Sequence, residues 1–128
     1  MTEPAPLHAS LIEAEVLRLC ESDALRRAPS HLRLLRYLVE KSIAGDASAL
    51  RETAIALEVF RRDPAVYDPQ NDPIVRVSVG RLRTRLDAHY AHHKSLPKLR
   101  IVLPKGRYAP EFVVFAGTDL PAQGLADA

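Results

Sequence analysis

A chain of 128 residues with 47% hydrophobic content is long enough for one domain with its own core, and its single cysteine, Cys20, excludes an internal disulfide. No apolar run approaches a membrane span, and the opening Met-Thr-Glu-Pro-Ala-Pro has neither the basic start nor the apolar core of a signal peptide, so a soluble, cytoplasmic protein without a membrane partner is expected. The net charge of +2 conceals a polarity that favours a polyanionic partner: residues 76–107 hold nine Lys/Arg against one acid, a net of +8, and the remainder holds nine against fifteen, a net of −6.

Residues 1–9 contain two prolines and no periodic pattern, and read as a flexible arm. A first helix is expected over about residues 10–21, capped by Ser10, with Ile12, Val16, Leu19 and Cys20 as its apolar stripe. Ala28-Pro29 breaks it. Ser30 is then placed to cap a second helix, about residues 30–44, whose core face is Leu32, Leu35, Leu38, Val39 and Ile43 and which Gly45 closes. Arg33, Arg36 and Lys41 lie off that face and read as solvated charge.

A turn at Gly45-Asp46-Ala47-Ser48 leads to a short third helix, about residues 50–60, carrying Ile55, Ala56, Val59 and Phe60. The following loop, 61–71, repeats Asp-Pro, and each proline biases the residue before it away from helix. Its acids suit Asx turns rather than catalysis, and Val66 and Tyr67 are its expected anchors. Asp72 and Pro73 suit the start of a long fourth helix, about residues 73–92. Val75, Val79, Leu82 and Leu86 mark its apolar face. The opposite face carries Arg76, Val77, Gly80, Arg81 and Thr84, with Arg83 and Arg85 on the flanks, and the small Gly80 allows a partner to come close.

The period then changes to two. Leu99, Ile101 and Leu103 alternate with Arg100 and Val102 as a strand, Pro104-Lys105-Gly106-Arg107 is a basic turn, and a second strand is expected over residues 108–115, bent by Pro110. Such a hairpin needs packing partners, and Tyr108, Phe112 and Val114 are expected to supply them. Residues 117–128 read as a flexible tail, which leaves 10–116 as the domain. The fold class expected is mainly α with a C-terminal β-hairpin. The third and fourth helices would form a helix-turn-helix with an enlarged loop, and the hairpin would be its wing.

The run Arg76-Val77-Ser78-Val79-Gly80-Arg81-Leu82-Arg83-Thr84-Arg85-Leu86, followed by Leu99-Arg100-Ile101-Val102-Leu103-Pro104-Lys105-Gly106-Arg107-Tyr108, resembles the C-terminal DNA-binding domains of OmpR/PhoB-type response regulators. A longer similarity, over residues 16–112, is to the winged-helix domains at the front of some bacterial regulators that carry repeat or cyclase-like modules. The resemblance implies a sequence-specific duplex-DNA-binding transcription regulator, with the fourth helix in the major groove and the hairpin on the backbone or minor groove. It implies base-edge positions at Arg76, Arg81 and Thr84, phosphate positions at Arg83 and Arg85, and a wing tip at Lys105 and Arg107. Arg51 and Thr53 would begin the supporting helix, where phosphate is often met. A helix stands where the OmpR-type domain has its opening sheet. No receiver, repeat or cyclase-like module accompanies these residues, so control by homodimerisation or by a separate regulatory protein is expected.

Other chemistry has less behind it. His89 and His93 are four apart near the end of the fourth helix, beside His92, but no cysteine or further acid completes a metal site. The serines have no nucleophile-elbow context and no glycine-rich loop cradles a phosphate, so neither an enzyme nor a bound cofactor is expected. The alternative is a winged-helix module that binds another protein, as a co-regulator or anti-activator, and not DNA.

Overall fold

The computed structural model describes residues 6–92 and 98–114. Four helices precede a small antiparallel sheet: α1 (Pro6–Cys20), α2 (Pro29–Ile43), a 3-10 turn (Ala47–Leu50), α3 (Glu52–Glu58), α4 (Ile74–His92), β1 (Leu99–Val102) and β2 (Glu111–Val114). The mainly helical chain with a C-terminal hairpin is thus observed. The tail at 117–128, His93 and the first five residues of the expected arm lie outside the described residues. No described helix is long and apolar enough to cross a membrane.

One cluster forms the core. Ile12, Val16 and Leu19 of α1 meet Leu34, Leu35, Leu38 and Val39 of α2, Ile55 and Ala56 of α3, and Val75, Val79, Leu82, Leu86 and Tyr90 of α4. β1 adds Leu99 and Ile101, and Leu103 follows just beyond it. The α4 stripe anticipated from its spacing is buried in full and continues one turn further, to Tyr90. Leu82 is fully buried, and truncating such a leucine to alanine costs about 2–5 kcal/mol.

The helix ends differ from expectation in instructive ways. α1 opens at Pro6, so Ser10 lies inside it and caps nothing. α2 opens with Pro29 in its first turn, and its N-cap is Ala28, without a side-chain cap; Ser30 sits two residues too late. Proline at the first helical position needs no N–H there, which is why it can replace a capping serine. The α2 C-terminus does use Gly45, at φ +73°. Gly45 N–H donates to Ser42 O and Asp46 N–H to Lys41 O, the paired bonds of a Schellman ending. Leu34, unassigned in the reading of α2, is fully buried, whereas Leu32 and Ile43 are half-buried against the core.

The expected third helix, 50–60, is shorter at both ends, and a 3-10 turn over Ala47–Leu50 precedes it. Asp46 accepts the Ala49 N–H and so caps a 3-10 turn, tied to α2 by Tyr37 Oη donating to Ala49 O at 2.9 Å. α3 then begins at Glu52 and ends before Arg61, a non-glycine residue at φ 56°. In the loop to α4 the Asx turns form as anticipated. Asp63 accepts from Ala65 N–H, Asp68 from Gln70 N–H and Asp72 from Ile74 N–H. Tyr67 packs against the core, but Val66 is 75% exposed and anchors nothing.

β1 pairs with β2 in the register Leu99–Val114, Arg100–Val113, Ile101–Phe112 and Val102–Glu111. β2 is shorter than expected because Tyr108, Ala109 and Pro110 belong to the connection and not to the strand. Proline offers no N–H to a ladder. Tyr108 and Phe112 pack on the core as expected, while Val114 is 38% exposed.

Candidate nucleic-acid interface

Burying one face of α4 forces the other outward. Arg76, Val77, Arg81, Thr84 and Arg85 are exposed along it and Gly80 is half-exposed. A side-chain carbon added at Gly80 would meet nothing within 4 Å, so the helix backbone is open to an incoming surface there. Two clefts flank this face. One is bounded by Glu52, Arg76, Arg83, Gly106, Arg107 and Tyr108, between α3, α4 and the hairpin connection. The other lies between α4 and the first turn of α2, where His31 faces Gly80, Arg81, Thr84 and Arg85.

The basic residues of the face are not equivalent. Arg81 and Lys105 are exposed and make no hydrogen bond or ion pair among the described residues. Arg76 Nη1 lies 2.7 Å from Glu52 Oε2, joining the first turns of α4 and α3. Arg107 pairs with Glu111. Arg83 turns along the protein: its Nε donates to Leu103 O at 2.7 Å and its Nη2 to Pro104 O at 3.0 Å. Arg85 Nη1 donates to Ala24 O at 2.8 Å, and Thr84 Oγ1 donates to Gly80 O one turn back. Arg83 therefore sits half-buried as a strut between helix and hairpin, not as an outstretched phosphate contact.

Carbonyl bonds orient a guanidinium without cancelling its charge. Arg81, Arg83, Arg85 and Lys105 thus remain uncompensated, while Arg76 and Arg107 are each matched by an acid. Arg51 and Thr53 are exposed at the start of α3, and the Arg76–Glu52 pair holds α4 next to that start. The hairpin tip turns at Gly106, whose φ of +88° suits a residue without a side chain. Tyr108, beside Glu52 in the same cleft, has its hydroxyl pushed above the usual tyrosine range, first by burial and then by that acid.

One polar cluster escaped the sequence reading. Glu15 of α1 is 2% exposed, and Tyr90 Oη donates to its Oε2 at 2.6 Å. Ile101 N–H of β1 donates in turn to Tyr90 Oη at 3.1 Å, and the Arg100 guanidinium lies 4.9 Å from the ring centre. Burial, then the bond to Glu15, drives the Tyr90 hydroxyl far above its ordinary range, so it acts as a fixed donor. The signal was present: Glu15 follows Ile12 by three and precedes Leu19 by four, within the apolar stripe. The cluster joins α1, α4 and β1, and so fixes the base from which the hairpin projects.

His93, one half of the His89/His93 spacing, lies outside the described residues. His92 Nδ1 lies 2.8 Å from Ala88 O, and His89 packs edge-on against the Tyr90 ring. Among the described residues no group of three or more His, Cys, Asp or Glu side chains could hold a metal ion. Comparisons with protein-family models, with curated proteins and with solved structures found no match.

Proposed function

We propose that the chain is a winged helix-turn-helix module that binds duplex DNA within a bacterial transcription regulator. α3 and α4 are the helix-turn-helix, and the 103–110 connection is the tip of the wing. The observation that carries this reading is the α4 face: apolar and buried on one side, cationic on the other, with its backbone open at Gly80 and Lys105 held beside it by the Arg83 strut. A helix of that kind fits the major groove, and the tip reaches the neighbouring backbone or minor groove. Arg81 and Arg76 are the base-edge readers, Arg76 with its orientation set by Glu52. Lys105 and Arg85 meet phosphate, and Arg83 contributes its charge and the rigidity of the tip.

One module offers few contacts, so two copies on paired half-sites, or one copy with a separate regulatory protein, supply operator-level affinity. The competing reading, a winged helix that binds protein alone, draws on the two arginines already matched by acids. Fluorescence anisotropy against mixed duplex DNA at two salt concentrations separates the readings. A DNA binder loses affinity steeply as salt rises, by roughly 0.9 log unit per log unit of salt for each phosphate neutralised. Absence of binding at low salt leaves the protein-binding module.

A further inference from the structure

His31 belongs to no site inferred from the sequence, yet it stands beside the cationic face of α4. It lies in the first turn of α2 and closes the cleft over Gly80, Arg81, Thr84 and Arg85. Its Nδ1 is buried and has no hydrogen-bond partner. The charges felt at its ring come from Arg85 and Arg81 of α4, and both are positive. The cleft therefore assembles three permanent cations, Arg76, Arg81 and Arg85, and one titratable ring around open space, with no acid lining it; of the three, Arg76 is already paired with Glu52 outside the cleft.

We propose that His31, Arg81 and Arg85 form one site for a backbone phosphate of the duplex, and that His31 takes up a proton when that phosphate arrives. This rests on the DNA-binding reading above. In the free protein, burial first and then the two arginines hold His31 below its ordinary value of 6.5, so the ring is neutral at pH 7. A phosphodiester placed against Arg81 and Arg85 brings negative charge into the same cleft. It offsets their field and favours the imidazolium. Nothing else in the phosphodiester titrates near neutrality, so the proton gained by His31 appears as pH-dependent affinity. Linkage sets the sign: the complex binds more protons than the free protein, so affinity rises as pH falls from 8 towards 6. The gradient approaches about tenfold per pH unit if a full proton is taken up.

The test is anisotropy of the full chain with duplex DNA at pH 6, 7 and 8 and fixed salt, for wild type and His31→Gln. The other histidines are common to both proteins, so the difference between the two gradients belongs to His31. The expected result is a gradient in wild type that flattens in the variant, the two proteins differing most at pH 6. A histidine Cε1–H titration by NMR on the wild type, free and with duplex or inorganic phosphate, reads the same site without a substitution. The ring should titrate at higher pH with duplex and not with inorganic phosphate alone. Equal gradients in both proteins, or no change in the His31 titration with duplex, overturn the His31 site while DNA binding stands. A shift equal with inorganic phosphate overturns the duplex assignment in favour of a small-anion site. No DNA binding by wild type at low salt at any of these pH values overturns both.

Discussion

Glu52 Oε2 accepts from Arg76 Nη1 at 2.7 Å, so an acid stands at the edge of a cationic face and grips one of its arginines. The Arg76 side chain is 47% exposed and that of Glu52 22%, so water screens the pair and it adds about 1 kcal/mol or less to folding. Its effect falls on orientation. Glu52→Gln removes a negative charge and loosens the guanidinium together. Affinity for random duplex should rise a few-fold, and the preference for a specific site, found by selecting bound fragments from genomic DNA, over random duplex should fall. Competition binding with the two DNAs checks this. An unchanged preference would show that Glu52 does not orient a base-reading arginine.

Arg81 and Arg83 separate contact from support. Arg81 projects freely, and Arg81→Ala should weaken DNA binding at every salt concentration and lower the salt gradient by about 1. Arg83 donates to two carbonyls, so Arg83→Ala leaves Leu103 O and Pro104 O without those bonds and should destabilise the fold by about 1–3 kcal/mol. Hairpin amide exchange should quicken in Arg83→Ala and not in Arg81→Ala. Lysine at 83 should fail to restore it, because one ammonium cannot reproduce the planar fork.

The Glu15–Tyr90 bond gives a prediction independent of DNA. Tyr90→Phe leaves buried Glu15 without its 2.6 Å donor and the Ile101 N–H without its acceptor. About 1–3 kcal/mol should be lost, chiefly for the Ile101 N–H, since Glu15 keeps Arg18 at 3.7 Å, and Glu15→Gln should cost less than Glu15→Ala. Urea unfolding of the three variants measures it.

Stability should fall on acidification in two stages. His31 is held below its ordinary value of 6.5, so as pH falls beneath that value the unfolded chain takes up a proton that the folded one resists. Asp72, held below 3.8 chiefly by the Arg62 hydrogen bond, and Asp46, held below 3.8 chiefly by Ser48, act later. Their contribution is complete above 3.8 and disappears as pH drops through their lower folded values. Urea midpoints from pH 8 to pH 3 trace both stages. His31→Gln should remove the first stage and Asp72→Asn should reduce the second.

The helices were legible because Val75, Val79, Leu82 and Leu86, like Ile12, Val16 and Leu19, repeat at the helical period and are buried. The strand carrying Leu99 and Ile101 was legible from its alternation. Caps were less so. Ser10 and Ser30 have capping chemistry, but a proline ahead of each, Pro6 and Pro29, supplies a competing start. The cationic side of α4 could be read from spacing, but its internal bonds could not. Whether Arg83 reaches outward or folds back onto Leu103 O depends on where a hairpin twenty residues later comes to rest. His31 looked like one more residue on α2, since its significance lies in the arginines of another helix.

The two bonds from Arg83 also determine how a target would be met. Helix and fingertip cannot change their spacing unless both bonds break, so the gap between them is set before any encounter. A target thus forfeits little entropy in arranging the protein, and its own curvature must comply with that gap. Duplexes that flex easily at the contacted step would be favoured over stiff ones, even at base pairs no side chain reaches.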